Sequence, residues 1–337
     1  MITPNETQKQ WLLSSESAHY RIKLKERQRR GRPYVYPSSV LIRCYLLMLL
    51  YPRLRSHASL HRYLSEHTII CRMLGLTHLP HRTTFSRRFK TLGAALRGRI
   101  WAMGQTFIMS GVVELHVLMA DGTLHRAAGP EWPHTYQERG EVPGTLRGLD
   151  RLAGWGHSPY HKWVYGYRTH PVVALTANLQ PIPILADAHP ADVQENNILA
   201  EQLPWLPNES TVLVLDSNYE DHKLVEAWQR RASDGILERW MVFEPKKRKG
   251  KPADWRQQAQ VWRLIEEEAL YKLRGQRIEP FFGHWKQAFD LDRLPLKGYD
   301  APVYLLLAMY AFQLLIWMNW NANKPLYAFQ YLILGFD

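Results

Sequence analysis

The sequence predicts an α/β protein in which an all-helical N-terminal region precedes a domain of mixed strands and helices. Three observations carry that prediction. From Ser38 to about Gly111 the pattern is helical throughout, and SSVLIRCYLLMLLY presents a nearly continuous apolar face broken by Arg43. After Gly111 the character changes. The short apolar runs LHVLMAD and TVLVLD read as strands buried on both faces, with a long loop, two hairpin strands and a helix between them. From Trp262 onward the pattern is helical again. The chain therefore divides into a polar and then basic arm over 1–35, a helical domain over 36–110, and an α/β domain with C-terminal helices over 111–337.

Composition narrows the class. The chain has 337 residues, 46% of them hydrophobic and 22% charged, which excludes general disorder. Its two cysteines, Cys44 and Cys71, exclude a disulfide framework, and no Cys/His cluster suggests zinc. The polar stretch Met1 to Glu16 does not read as a signal peptide, so a reducing, cytoplasmic location is expected. The net charge of +12 favours a polyanionic partner, and its distribution is uneven. Residues 1–110 hold 19 Lys+Arg against 4 Asp+Glu, a net of +15, whereas residues 111–337 hold 24 against 27, a net of −3.

Within the arm, Tyr20 to Pro33 carries seven cations against one Glu, which suits either contact with phosphates or a solvated linker. Ser38 or Ser39 is an N-cap candidate for the first helix. In SHASLHRYLSEH, Leu60 and Leu64 fall at i, i+4. Gly75 ends the next helix, Pro80 marks a turn, and Thr83 or Thr84 caps a helix carrying Arg87, Arg88 and Lys90. Helix, turn and basic helix fit a DNA-binding unit, with Arg87 and Arg88 as contacts. Residues 127–160 read as a long loop. HKWVYGYRTHPVVALT and QPIPILADAHP read as hairpin strands, and Asp192 to Leu203 as a helix. RWMVFEP is a further strand, and the run Lys246 to Lys251 is a dense basic turn. The apolar segment Val303 to Met318 is short for a membrane span and contains Gln313, so it is expected as a buried core helix.

Two strand-like runs each stop at an acid, Asp121 and Asp216. Ligands gather beyond the carboxyl ends of strands in open α/β sheets. If the two strands are neighbours, the two carboxylates share one site and repel unless a cation neutralises them. Hard oxygen ligands without Cys or His suit Mg²⁺ or Mn²⁺. Downstream, YKLRGQRIEPFFGHWKQ places Glu279 and Lys286 seven apart, on one helical face about two turns from each other. Asp187 and Asp192 read as turn and cap residues, and Glu266 to Glu268 as a solvated face.

These residues together resemble the DDE transposases of bacterial insertion sequences, in the group whose signature runs Tyr, two residues, Arg, three residues, Glu, six residues, Lys. Tyr271 with Arg274 fits, and Glu279 with Lys286 fits. Four residues instead of three separate Arg274 from Glu279, which turns Arg274 roughly 100° on a continuous helix. A break at Gly275 is expected to absorb that offset, or Arg277 to substitute. MADGT and LVLDSNYED are similar to the contexts of the family's first and second Asp, and SLHRYLSEH to TTFSRR is similar to its helical DNA-binding region.

The resemblance implies an RNase H-like catalytic core, a mixed five-stranded sheet flanked by helices, without a large insertion between Asp216 and Glu279. It implies a transposase that binds terminal inverted repeats, hydrolyses a phosphodiester and joins the freed end to target DNA. Asp121, Asp216 and Glu279 would be the catalytic carboxylates and metal ligands for two Mg²⁺ ions, with Mn²⁺ as a substitute. Lys286, Tyr271 and Arg274 or Arg277 would contact phosphates. The implied partners are double-stranded DNA and a second copy of the chain in the synaptic complex, with no membrane, and the implied place is the bacterial nucleoid. A nuclease that cuts without strand transfer, or a non-transposing DNA-binding relative, would share these features.

Overall fold

The computed structural model of the protein describes residues 36–158, 162–231, 238–246 and 254–329. The predicted basic arm over 1–35, and the basic run beyond Lys246, lie outside them.

Five helices open the described chain. α1 (Ser38–Leu50) follows Pro37 and buries Leu41, Cys44, Tyr45 and Met48, the i, i+3, i+4, i+7 stripe of a core-facing helix. α2 (His57–Glu66) starts at a capping box formed by Ser56 and Ser59. α3 (Thr68–Leu74) ends at Gly75, whose φ of 90° suits a residue without a Cβ. α4 (Arg82–Lys90) is capped by His81, which accepts from the Thr83 N–H; neither Thr83 nor Thr84 takes that role. The Tyr45 ring packs edge-on against Phe85 and Phe89, and its hydroxyl donates to the Phe85 carbonyl at 2.8 Å. α5 (Gly93–Met109) then leads towards the sheet.

The sheet strands are β1 (Glu114–Ala120), β2 (Thr123–Arg126), β3 (Gly154–Ser158), β4 (Lys162–Leu175), β5 (Pro181–Pro190), β6 (Val212–Val214) and β7 (Trp240–Val242). Five of them form the central order β5-β4-β1-β6-β7. The pairs β5–β4 and β4–β1 are antiparallel, and β1–β6 and β6–β7 are parallel. β2 and β3 pair with the first half of the long β4, so the predicted loop over 127–160 ends in a strand and also contains the short helix α6 (His134–Glu138).

The remaining helices are α7 (Glu195–Gln202), α8 (His222–Gln229), α9 (Trp255–Glu266), α10 (Glu268–Phe289) and α11 (Asp300–Asn321). α10 is continuous through Gly275 and Pro280, so the expected break at Gly275 does not occur. Asp187, expected in a turn, lies within β5 and pairs with Arg97 at 2.9 Å.

α11 is long and apolar enough to cross a membrane, yet 72% of its most apolar window is buried inside the protein. Gln313 explains the polar break in that helix. Its Nε2 donates to the carbonyls of Ile100 and Pro183, at 3.0 and 2.8 Å, tying α11 to both α5 and β5. One continuous apolar core runs from Leu41 in α1 through Val214 in the sheet to Ile316 in α11.

Within that core α5 lies closely against β5. A Cβ added at Gly104 would collide with the backbone of Ile184. Alanine favours a helix over glycine by about 1 kcal/mol, but overpacking against backbone costs about 1–3 kcal/mol. Gly104→Ala is therefore expected to lower stability in urea denaturation, and an unchanged or raised midpoint would contradict this packing.

Candidate metal centre

The parallel register of β1 and β6 pairs Met119 with Val214. Two residues further along each strand stand Asp121 and Asp216, so the pairing itself sets the two carboxylates side by side at the strand ends. Both strands are Val/Leu/Met-rich and fully buried at that end, as central strands of a covered sheet must be. The register of β1 and β2 against β4 is continuous across Asp121–Gly122. Pro171, which has no N–H for the ladder, falls opposite that interruption.

A third carboxylate joins them. Glu195 is the first residue of α7, and the carboxylate oxygens of Asp121, Glu195 and Asp216 approach to within 4.8 Å of one another. Gly122 makes room for it, because a Cβ there would collide with Oε1 of Glu195. Each carboxylate is held. Asp121 accepts from the Gly122 N–H and from Nη1 of Arg274, both at 2.8 Å. Glu195 accepts from Nη1 of Arg168 on β4 at 2.5 Å. Asp216 caps the short turn Ser217–Tyr219, accepting from the Asn218 N–H at 2.7 Å and from its Nδ2 at 2.9 Å.

Three carboxylates thus face two guanidiniums, and the charge is not balanced among these five side chains. Burial, reinforced by Glu195 and Asp216 and opposed by Arg274, pushes Asp121 up to about 7. Burial likewise raises Glu195. An all-oxygen donor set with surplus negative charge fits a hard divalent cation such as Mg²⁺ or Mn²⁺.

The predicted site residues fall in several places. Asp121 and Asp216 come together. Glu279 is exposed on α10 and lies outside the cluster of three. Arg274, despite its offset, reaches Asp121, and its guanidinium lies 5.8 Å from the centre of the Tyr271 ring. Arg277 is half-buried on the same helix. Lys286 donates to the Leu124 carbonyl at 2.8 Å, and burial lowers its pKa. Arg87 is exposed on α4, whereas Arg88 donates to Ser38 Oγ at 3.1 Å and to the Tyr36 carbonyl, fastening α4 to the start of α1.

Sequence reasoning missed Glu195 and Arg168. A signal was present for Arg168. It and His170 interrupt an otherwise apolar and aromatic strand, and a charge inside a buried strand needs a partner.

A mixed sheet ordered β5-β4-β1-β6-β7, with carboxylates meeting where its parallel strands end, defines an RNase H-like core with a candidate acidic metal site. Residues 115–312 match the family model described as the transposase DDE domain, and the chain belongs to that family; it is a DDE transposase. No curated protein sequence matches the chain significantly. Among solved structures, the chain is similar to the piggyBac transposase synaptic complex with hairpin DNA, at 9% identity over 91% of this chain and 73% of that one, with a TM-score of 0.40. It is also similar to the Drosophila P element transposase strand transfer complex, at 14% identity, 71% and 48% coverage and a TM-score of 0.29. A third similarity is to a pre-cleavage Mos1 transpososome, at 11% identity, 92% and 87% coverage and a TM-score of 0.20.

The raised pKa of Asp121 has a stability consequence. An unfolded aspartate loses its proton near about 3.9, while the folded protein keeps it until about 7. Between those values the folded state binds the extra proton, so metal-free stability falls as pH rises through that window. Asp121→Asn removes the titrating group. In chelator, the stability of the variant relative to wild type is expected to rise between about pH 4 and about 7 and then level off. A pH-independent difference in denaturation midpoints would refute the assignment.

Proposed function

We propose that this transposase binds the terminal inverted repeats of an insertion sequence, hydrolyses the phosphodiester at each end and joins the freed 3′-OH to target DNA. The observation that carries this reading is the β1–β6 register, which brings Asp121 and Asp216 together beside Arg274. We assign Asp121 and Asp216 as ligands of two Mg²⁺ ions, replaceable by Mn²⁺. Glu279 is the third catalytic carboxylate, on the helix that already delivers Arg274 to Asp121. Glu195 is the carboxylate that gathers with Asp121 and Asp216 at the strand ends. When bound, the divalent ions activate the attacking oxygen and stabilise the leaving 3′ oxygen of an in-line displacement.

The protein's own groups position the DNA. In the first step water attacks phosphorus and the 3′ oxygen leaves with a proton. In the second, that 3′-OH attacks a target phosphodiester, forming one P–O bond as another breaks. Arg274, Arg277 and Tyr271 hold phosphates at the cleaved end. Lys286 adds an ammonium, with two N–H groups beyond the one given to Leu124. The helical domain grips the flanking duplex. A cleft between the first turns of α2 and α4 supports this, being lined by His57, Arg82, Thr83, Ser86 and Arg87 without an acidic side chain. Arg88 supports that surface by holding α4 in place. Two copies would act on the paired ends, in the bacterial cytoplasm on the nucleoid.

The test is Mg²⁺-dependent cleavage and joining of the element's own end. Loss of a metal ligand removes several kcal/mol of transition-state stabilisation, so Asp121→Asn, Asp216→Asn and Glu279→Gln should each slow cleavage on the order of a thousand-fold. Full activity in Glu279→Gln with loss in Glu195→Gln would transfer the third role to Glu195. Cleaved ends that are never joined would favour a nuclease. Arg87→Ala should weaken binding of end DNA and flatten its salt dependence by about one charge.

A further inference from the structure

Behind the three carboxylates lies a buried chain of hydrogen-bonded side chains that metal binding and phosphate contact leave unused. His170 on β4 and Tyr219 have no exposed surface, and Gln202 is 4% exposed. His170 Nδ1 lies 2.8 Å from Oε1 of Gln202, and its Nε2 lies 2.6 Å from the Tyr219 hydroxyl. Gln202 also donates Nε2 to the carbonyl of His170 at 2.9 Å. Burial keeps the imidazole neutral, down to about 4. The proton positions follow from these partners. The Gln202 amide nitrogen is already donating, so its oxygen accepts from His170 Nδ1–H, and Nε2 accepts from the Tyr219 O–H.

The ends of this chain are informative. Gln202 is the last residue of α7, whose first residue is Glu195. Tyr219 closes the short turn that Asp216 caps. His170 shares its strand face with Arg168, the partner of Glu195, since residues two apart on a strand point the same way. The adjacent Pro171 falls opposite Asp121 in the β4–β1 register. One imidazole therefore fastens the elements carrying Glu195 and Asp216 to the strand alongside Asp121.

We propose that the Gln202–His170–Tyr219 chain is a positioning device that sets the spacing of Glu195 and Asp216 about Asp121, and through that spacing the affinity for a divalent cation. The inference rests on the metal-centre reading above. A hydrogen bond that served the core alone would affect stability and leave the cation affinity of the folded protein unchanged. Partners of this kind, lying behind a metal site, typically change metal affinity by about 10–100-fold when removed.

The experiment titrates Mn²⁺ into metal-free full-length protein and follows bound Mn²⁺ by electron paramagnetic resonance. Wild type, Tyr219→Phe and Gln202→Ala are compared, with Asp216→Asn as the reference lacking a ligand and urea denaturation reporting the fold of each. Tyr219→Phe is expected to fold and to bind Mn²⁺ about ten-fold more weakly. Gln202→Ala releases the other side of the imidazole and should weaken binding in the same direction, carrying the test alone if Tyr219→Phe does not fold. Folded variants that bind Mn²⁺ as tightly as wild type overturn the proposal and leave the metal centre standing. A wild type that binds no more Mn²⁺ than Asp216→Asn overturns the metal centre and this inference with it.

Discussion

The structure depends on the parallel pairing of β1 with β6. In a parallel pair both chains arrive at the same end of the sheet, so residues at equivalent offsets beyond the last paired position emerge together. Asp121 and Asp216 each stand two residues beyond the Met119–Val214 pair. An antiparallel arrangement of the same two strands would send one carboxylate to the opposite end of the sheet. The apolar side chains of these strands hold the register, because Leu118, Met119, Leu213 and Val214 are packed on both faces and a slip of one residue would exchange every one of their partners.

Electrostatics then limits what can surround that point. Three half-buried carboxylates repel one another, and Arg168 and Arg274 reduce the repulsion without cancelling it. Both are arginines, which present a planar fork of donors to a carboxylate. Arg274 donates to one oxygen of Asp121 at 2.8 Å, while the other accepts from the Gly122 N–H.

Much of this was legible in the sequence. The two apolar runs ending in Asp announced both strands and both carboxylates, because a fully buried strand has a composition that few other elements share. Gln313 inside the most apolar helix spoke for a core helix over a membrane span, and in the structure its amide donates to two buried carbonyls. What the sequence concealed was long-range. Glu195 lies 73 residues beyond Gly122 in the chain, and nothing local shows that the start of α7 reaches the end of β1. The bearing of Arg274 also eluded helical-wheel reasoning. A long guanidinium side chain spans an angular offset that a short one could not, so α10 needs no break at Gly275 to bring it to Asp121. The cap of α4 falls to His81 because an imidazole nitrogen can accept there as a hydroxyl would.

The helical region and the sheet share one core. α5 lies against β5 at Gly104, and α11 is tied to both by Gln313. On the other side, Arg55 pairs with Asp290 just beyond α10 at 2.6 Å, and His57 meets Asp300 at the start of α11 at 3.2 Å. No free linker among the described residues separates the basic helices from the carboxylates. A duplex gripped by the former and cut at the latter would be measured as if against a rigid gauge. The number of base pairs between a recognised sequence and its cut would then be a dimension of the protein's own core.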